Sequence, residues 1–298
     1  MKDIYFEPVV SKPNIRKKVI HQLTHFLTLC SPFLSVKLAN KLLGNPFSRR
    51  TYQMRTQVAP VTTMVSTNVG NVCLHKFSIS VSDPQKNIFL CHGWGDSSTR
   101  FTQLIDYLLT ENFTVWSLDQ VGHGQSKGNY SDLYCFKEGT TKALQYLESI
   151  QASPIALVGH SMGALGLMNV DKKERLNKQL ILISAPVLFF ENMQNAVASV
   201  GIAKSMLDNL LEHVSAKYQL SWQDLAPAKR IANIDDGVLI IHDTSDLICP
   251  YSLTKNLVAL VPHELFTTHN LGHIKLLKDS RLMAKVVSYA LQGAVKND

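Results

Sequence analysis

Hydrophobic and polar positions alternate in two registers along this chain. From residue 72 onward, short runs dense in Val, Ile, Leu and Phe recur: VCLHKFSISV (72–81), NIFLCH (87–92), FTVWSLD (113–119), PIALVG (154–159), QLILISA (179–185), VLIIHD (238–243) and LFTTHN (265–270). Between them lie segments whose apolar residues return every three or four positions, at 99–110, 136–151, 162–174, 252–260 and 274–292. The first register is that of strands and the second that of helices. Strands that are almost continuously apolar need cover on both faces, the condition of a parallel sheet with helices on each side. The pattern predicts an α/β fold with a mostly parallel, doubly wound sheet. The run 72–81 alternates more than the rest and is expected as an antiparallel edge.

Two stretches depart from this rhythm. About fifty residues separate QLILISA from VLIIHD, more than one crossover helix needs. Met193, Val197, Val200, Met206, Leu207, Leu210, Leu211 and Val214 mark one or two helices there, with Gly201 as a break. We expect a helical cap at about 187–221, over the C-terminal edge of the sheet where open α/β sheets take ligands. The second departure is residues 1–60, expected as a basic helical extension to a main domain at 61–298. In it Ile15, Val19, Ile20, Leu23, Phe26, Leu27 and Cys30 recur at helical spacing. Ser31-Pro32 then supplies an N-cap and first-turn proline for a second helix, ending near Gly44 and Asn45-Pro46. The favoured reading is an extension packed on the body, because any core-facing helix shows such a stripe. The alternative is an amphipathic anchor lying on the inner face of a membrane.

Charge and cysteine usage sharpen the picture. Residues 1–60 hold ten Lys and Arg, including Lys2, Lys12, Arg16, Lys17, Lys18, Lys37, Lys41, Arg49, Arg50 and Arg55, against Asp3 and Glu7. That is +8 of a whole-chain +7, so the remainder is close to neutral. Basic and aromatic residues do not interleave, so nucleic acid is not an expected partner. No apolar stretch reaches membrane-spanning length, and the N-terminal residues lack the apolar core and cleavage site of a secretory signal. The five cysteines are scattered and form no CxxC pair, which fits reduced thiols in a cytoplasmic protein. No metal or organic cofactor is implied.

The candidate chemistry starts from PIALVGHSMGALGLMNV (154–170). A strand, then G-x-S-x-G, then a helix is a nucleophile elbow, with Ser161 raised on a turn too tight for a Cβ at Gly159 or Gly163. A serine needs a base, and the base an orienting acid. In this arrangement the acid and histidine follow the last two strands in that order. IIHDTSDLICP carries Asp243, at the strand end, and Asp246, in the loop beyond; HNLGHIKLL carries His269 and His273. His269 falls within the strand run and is expected in the core. The choice is Asp246 and His273. Backbone N–H groups of Met162, at a helix start, and Trp94, in LCHGWGDSS, are the expected oxyanion donors. His123 and Asp119 are expected as turn residues, and Cys91 and Cys249 as packing.

Together HGWGDSSTRF, DQVGHGQSKG and GHSMGA resemble the α/β-hydrolase superfamily, in the serine-hydrolase branch of monoacylglycerol lipases, lysophospholipases and related esterases. The resemblance covers about residues 72–292 and carries over Ser161, Asp246 and His273 as the triad, with Trp94 and Met162 as oxyanion donors. This chain has Asp243 where the family has glycine, and Ala164 after the elbow. The implied activity is hydrolysis of a carboxylic ester of small-molecule type. Phe189, Phe190, Met193 and Met206 in the cap suggest an apolar acyl group. Thioester hydrolysis, acyl transfer, carbon–carbon bond hydrolysis or ligand binding without turnover would use the same constellation.

Overall fold

The computed structural model describes residues 15–46, 53–232, 234, 237–259 and 263–292. Lys2, Asp3, Glu7, Lys12, Arg49 and Arg50 lie outside the described residues. The elements run α1 (Ile15–Cys30), α2 (Pro32–Leu43), β1 (Val61–Thr67), β2 (Gly70–Phe77), β3 (Asn87–Cys91), α3 (Thr102–Thr110), β4 (Thr114–Asp119) and α4 (Leu133–Ser149). There follow β5 (Ala156–His160), α5 (Met162–Asn169), α6 (Lys172–Arg175), β6 (Gln179–Ile183), α7 (Phe189–Ser199), α8 (Lys204–Tyr218) and α9 (Pro227–Ala232). The chain closes with β7 (Val238–Asp243), α10 (Tyr251–Val258), β8 (Glu264–Thr268), α11 (Gly272–Lys275) and α12 (Ser280–Gln292).

Eight strands form one sheet in the order β1-β2-β4-β3-β5-β6-β7-β8. β2 runs antiparallel to both neighbours, and every pairing from β4 to β8 is parallel. The sequence run at 72–81 is therefore antiparallel, as its alternation suggests, but it is not the edge. The edge is β1, which the sequence reading did not anticipate. In VTTMVST every residue but Ser66 is β-branched or apolar, yet Val65 alone is buried. That composition could have flagged a strand, but without a second apolar face it does not stand out.

Successive side chains of the central strands enter two different cores, which is why these runs are apolar at every position. Ile88 and Leu90 of β3 pack with Leu104 and Leu108 of α3 and with Leu282 and Val286 of α12. Phe89 and Cys91 face the other way, toward Phe136 and Leu144 of α4 and the buried helix α5. Asp132 caps α4 by accepting the N–H of Cys135 at 2.7 Å, a contact of about 1 kcal/mol in this position. The long interval between β6 and β7 holds α7 and α8, whose Met193, Val197, Met206, Leu207, Leu210 and Leu211 join the core on the α4–α5 side. All five cysteines are unbridged, with Cys30 exposed.

The N-terminal helices lie on this cap. Thr24 Oγ1 accepts the N–H of Ala203 at 2.9 Å, Asn209 Nδ2 donates to the Pro32 carbonyl at 3.1 Å, and His25 Nδ1 meets Ser205 Oγ at 3.2 Å. Only part of the apolar stripe of α1 faces the body, however: Leu27 packs against the core and Ile20 is half-buried. Thr24 is the buried residue of that helix, while Ile15, Val19, Leu23, Phe26 and Cys30 point outward.

Candidate active site

β5 is buried throughout and delivers Ser161 to the C-terminal edge of the sheet. Ser161 N donates to the Ile183 carbonyl of β6 at 2.9 Å, and Ser161 O accepts the N–H of Ala164 at 3.0 Å. Between these two bonds the chain turns from strand to helix at one residue, with Ser161 at φ 52°, ψ −120°. For a residue with a Cβ this conformation costs about 1–3 kcal/mol and persists only where its surroundings enforce it. They do so by crowding. A Cβ on Gly159 would lie 2.6 Å from the Ala164 Cα, and one on Gly163 would lie 2.1 Å from the Cys91 carbonyl oxygen. Neither position admits a side chain, so α5 can fold back onto β5 and β3.

Asp246 and His273 come from the loops after β7 and β8 and meet in the interior, His273 Nδ1 donating to Asp246 Oδ2 at 2.8 Å. With Nδ1 as donor, the ring keeps Nε2 as its basic nitrogen. Asp246 Oδ1 accepts the N–H groups of Ile248 and Cys249 at 2.9 and 2.8 Å. Burial pushes the Asp246 carboxyl up, but hydrogen bonds from His242 and His273 outweigh it and hold the group well below the usual carboxylate range. Asp243, the competing acid, does something else. It accepts the N–H of Ser245, Leu271 and Gly272 and the hydroxyl of Thr268, and so ties the loop bearing His273 to the end of β7.

His160 links the two halves of the site. Its Nε2 donates to the His273 carbonyl at 2.9 Å, and the two rings lie 4.8 Å apart. Burial drives the His160 imidazole well below its ordinary range, so it is neutral. The sequence reading missed His160 and His242, the latter 3.3 Å from Asp246 and bonded to the Cys249 carbonyl at 2.7 Å. Each stands beside a residue that was singled out, in GHSMG and IIHDTSD, and that adjacency was the available signal. His269 is a correction: β8 ends at Thr268, and His269 is exposed just past it, beside Thr244.

The loop carrying Trp94 passes against the elbow, since a Cβ on Gly93 would lie 3.0 Å from that of Ser161. His92 secures this loop, accepting the Gln120 N–H at Nε2 (3.1 Å) and donating from Nδ1 to the Gly93 carbonyl (2.7 Å). The Trp94 ring packs on His123 and Phe136. Asp119 fixes the neighbouring turn, accepting from Ser98 N and Gln125 N at 2.7 Å each. Met162 opens α5, where the first N–H groups have no partner inside the helix.

Ser161, Met162 and Trp94 line one wall of an apolar cavity of about 90 Å³. Phe189, Phe190 and Met193 of α7 line the opposite side, with Leu210, Leu211 and Val214 of α8. Met206 does not. It shares a helical face with Leu210 but sits one turn earlier, buried in the core between cap and sheet. Asp246 and His273 stand behind Ser161 and outside the cavity lining.

This sheet order, with a serine on a strained strand-to-helix bend, defines the α/β-hydrolase fold in its serine-hydrolase branch. Residues 82–231, about half the chain, match the serine aminopeptidase S33 family, and the chain belongs to it. The matched segment contains Ser161, Met162 and Trp94 and ends before Asp246 and His273. The human monoglyceride lipase is 31% identical over 137 residues, 44% of this chain and 45% of that protein. The aligned part thus spans less than half the length of that relative. Among solved structures, an esterase of Pyrococcus furiosus superposes with a TM-score of 0.57 at 15% identity, covering 78% of this chain and 92% of its own. An esterase of Exiguobacterium antarcticum gives 0.56 at 16%, covering 77% and 99%. At these identities the likeness is one of fold.

Proposed function

We propose that this chain is a carboxylic-ester hydrolase for apolar acyl groups, working through an acyl-enzyme on Ser161. His273 Nε2 takes the proton of the Ser161 hydroxyl as Oγ bonds to the acyl carbon. The carbonyl oxygen becomes an oxyanion facing the N–H groups of Met162 and Trp94. Collapse breaks the ester C–O bond, and His273 returns the proton to the departing alcohol. Water, deprotonated by His273, then releases the carboxylic acid and restores Ser161. Asp246 holds the imidazole in the required tautomer and balances its transient charge.

The observation that carries this reading is the opening of an apolar cavity directly onto Ser161. Similarity to monoglyceride lipases supports it. An aminopeptidase would need an acid available to bind a substrate ammonium. Asp132, the carboxylate among the described lining residues, is already engaged by the Tyr130 hydroxyl at 2.6 Å and the Cys135 N–H at 2.7 Å. An ester suits this lining better.

A series of p-nitrophenyl esters tests the assignment. We expect kcat/KM to climb about fourfold per added methylene from acetate until the cavity is filled, the transfer free energy of one CH₂. A flat or falling series would overturn the apolar acyl assignment.

A further inference from the structure

Nine of the sixteen large hydrophobic side chains exposed among the described residues belong to α1 and α2. On α1, Ile15, Val19, Phe26 and Leu29 follow one another at helical spacing along the outward face, with Leu23 beside them; Phe26 is 65% exposed and Leu29 69%. The inward face is mixed, with Leu27 against the core, Thr24 bonded to the cap and Thr28 to Ser35 of α2 at 3.0 Å. On α2, Phe33 (75% exposed), Leu34 and Leu38 share the outer surface with Lys37 and Lys41. Leu42 shares a groove with Arg16 and Ile20, so the two helices form an antiparallel hairpin. A helix that merely braced the cap would turn its apolar stripe inward. Here five large apolar residues of α1 are turned out.

Charge decides what could cover it. Residues 15–46 carry Arg16, Lys17, Lys18, Lys37 and Lys41 and no Asp or Glu. A second copy of the chain, docking face to face, would bring these cations against themselves. An anionic bilayer supplies both an apolar boundary for the stripe and opposite charge for its flanks. We propose that the α1–α2 hairpin docks on the surface of an anionic lipid bilayer, laying Ile15, Val19, Leu23, Phe26, Leu29 and Phe33 into the headgroup boundary. Lysines on this surface reach the headgroups while their stems lie along the apolar face. α2 ends at Leu43 and Gly44, which form part of the cavity wall. If the chain hydrolyses apolar esters, as proposed above, docking sets that wall beside the source of substrate; the docking itself does not depend on that reading.

The test is co-sedimentation of the full chain with phosphatidylcholine vesicles, with and without about one third phosphatidylglycerol. We expect binding to the anionic vesicles, weakened by salt and about fivefold weaker for each cation replaced by glutamine, as in Lys18→Gln or Lys41→Gln. Phe26→Asp with Phe33→Asp should lower binding at least tenfold and leave hydrolysis of a soluble short-chain ester unchanged. Absence of binding to anionic vesicles at low salt, or equal binding by this variant, would overturn the proposal. So would a wild-type dimer that the variant splits without any vesicle binding, since a second copy would then be the occupant. Vesicle binding by a protein with no esterase activity would sustain the docking and refute the catalytic reading.

Discussion

Replacing Ser161 by alanine is expected to lower ester hydrolysis by about 10⁴-fold or more, the scale of losing a nucleophile from a triad that works as a unit. The fold should be indifferent to the change. Ser161 N still donates to Ile183 O, and the bend is enforced by the contacts at Gly159 and Gly163, not by the hydroxyl. Steady-state rates on a short-chain p-nitrophenyl ester, beside a thermal melt, check both parts. A variant that melts like the wild type yet retains full activity would place the chemistry elsewhere. Adding His273→Ala to Ser161→Ala should cost little more, because neither group acts without the other.

Asp246→Asn should follow closely, with kcat reduced by about 10⁴-fold, because an asparagine amide can present a donor to Nδ1 and favour the wrong imidazole tautomer. The same change at Asp243 should behave differently. Asp243 accepts three backbone N–H bonds and one hydroxyl around the loop after β8, and it does not touch the His273 ring. Asp243→Asn should cost stability, about 1–3 kcal/mol for a buried polar group left partly unsatisfied, with activity following the folded fraction. Comparing kcat per folded molecule in the two variants separates the carboxylate that orients the base from the one that holds its loop. If Asp243→Asn suffered the larger kinetic loss, the two roles would have to be exchanged.

Much of the site is legible in the sequence because the elbow is a packing problem written locally. Gly159, Ser161 and Gly163 are spaced by the geometry of one bend, and the strand before it announces itself as buried. Asp246 and His273 could be placed because each follows its own strand in a fixed order, although only coordinates show their 2.8 Å contact. The residues behind them were not legible. His160 and His242 act through buried bonds to the carbonyls of His273 and Cys249, contacts that no periodicity encodes. Met206 went astray for a related reason. A helical stripe tells which residues share a face, not whether that face meets a cavity or a core. The same limit governs α1. Its apolar period is plain in the sequence, yet only part of it meets the body: Leu27 packs against the core and Thr24 bonds to the cap, while Phe26 is exposed. His269 was misplaced by a strand boundary that stops at Thr268, one residue short of it.

The central claim is that Ser161 is a nucleophile activated from behind by the Asp246–His273 pair. Its most direct measurement is labelling of the native chain with a fluorophosphonate, followed by digestion and mass mapping of the modified peptide. We expect one adduct, on Ser161, abolished by unfolding and by His273→Ala. An adduct on a different serine, or a folded and esterolytically active chain that takes no label, would contradict it.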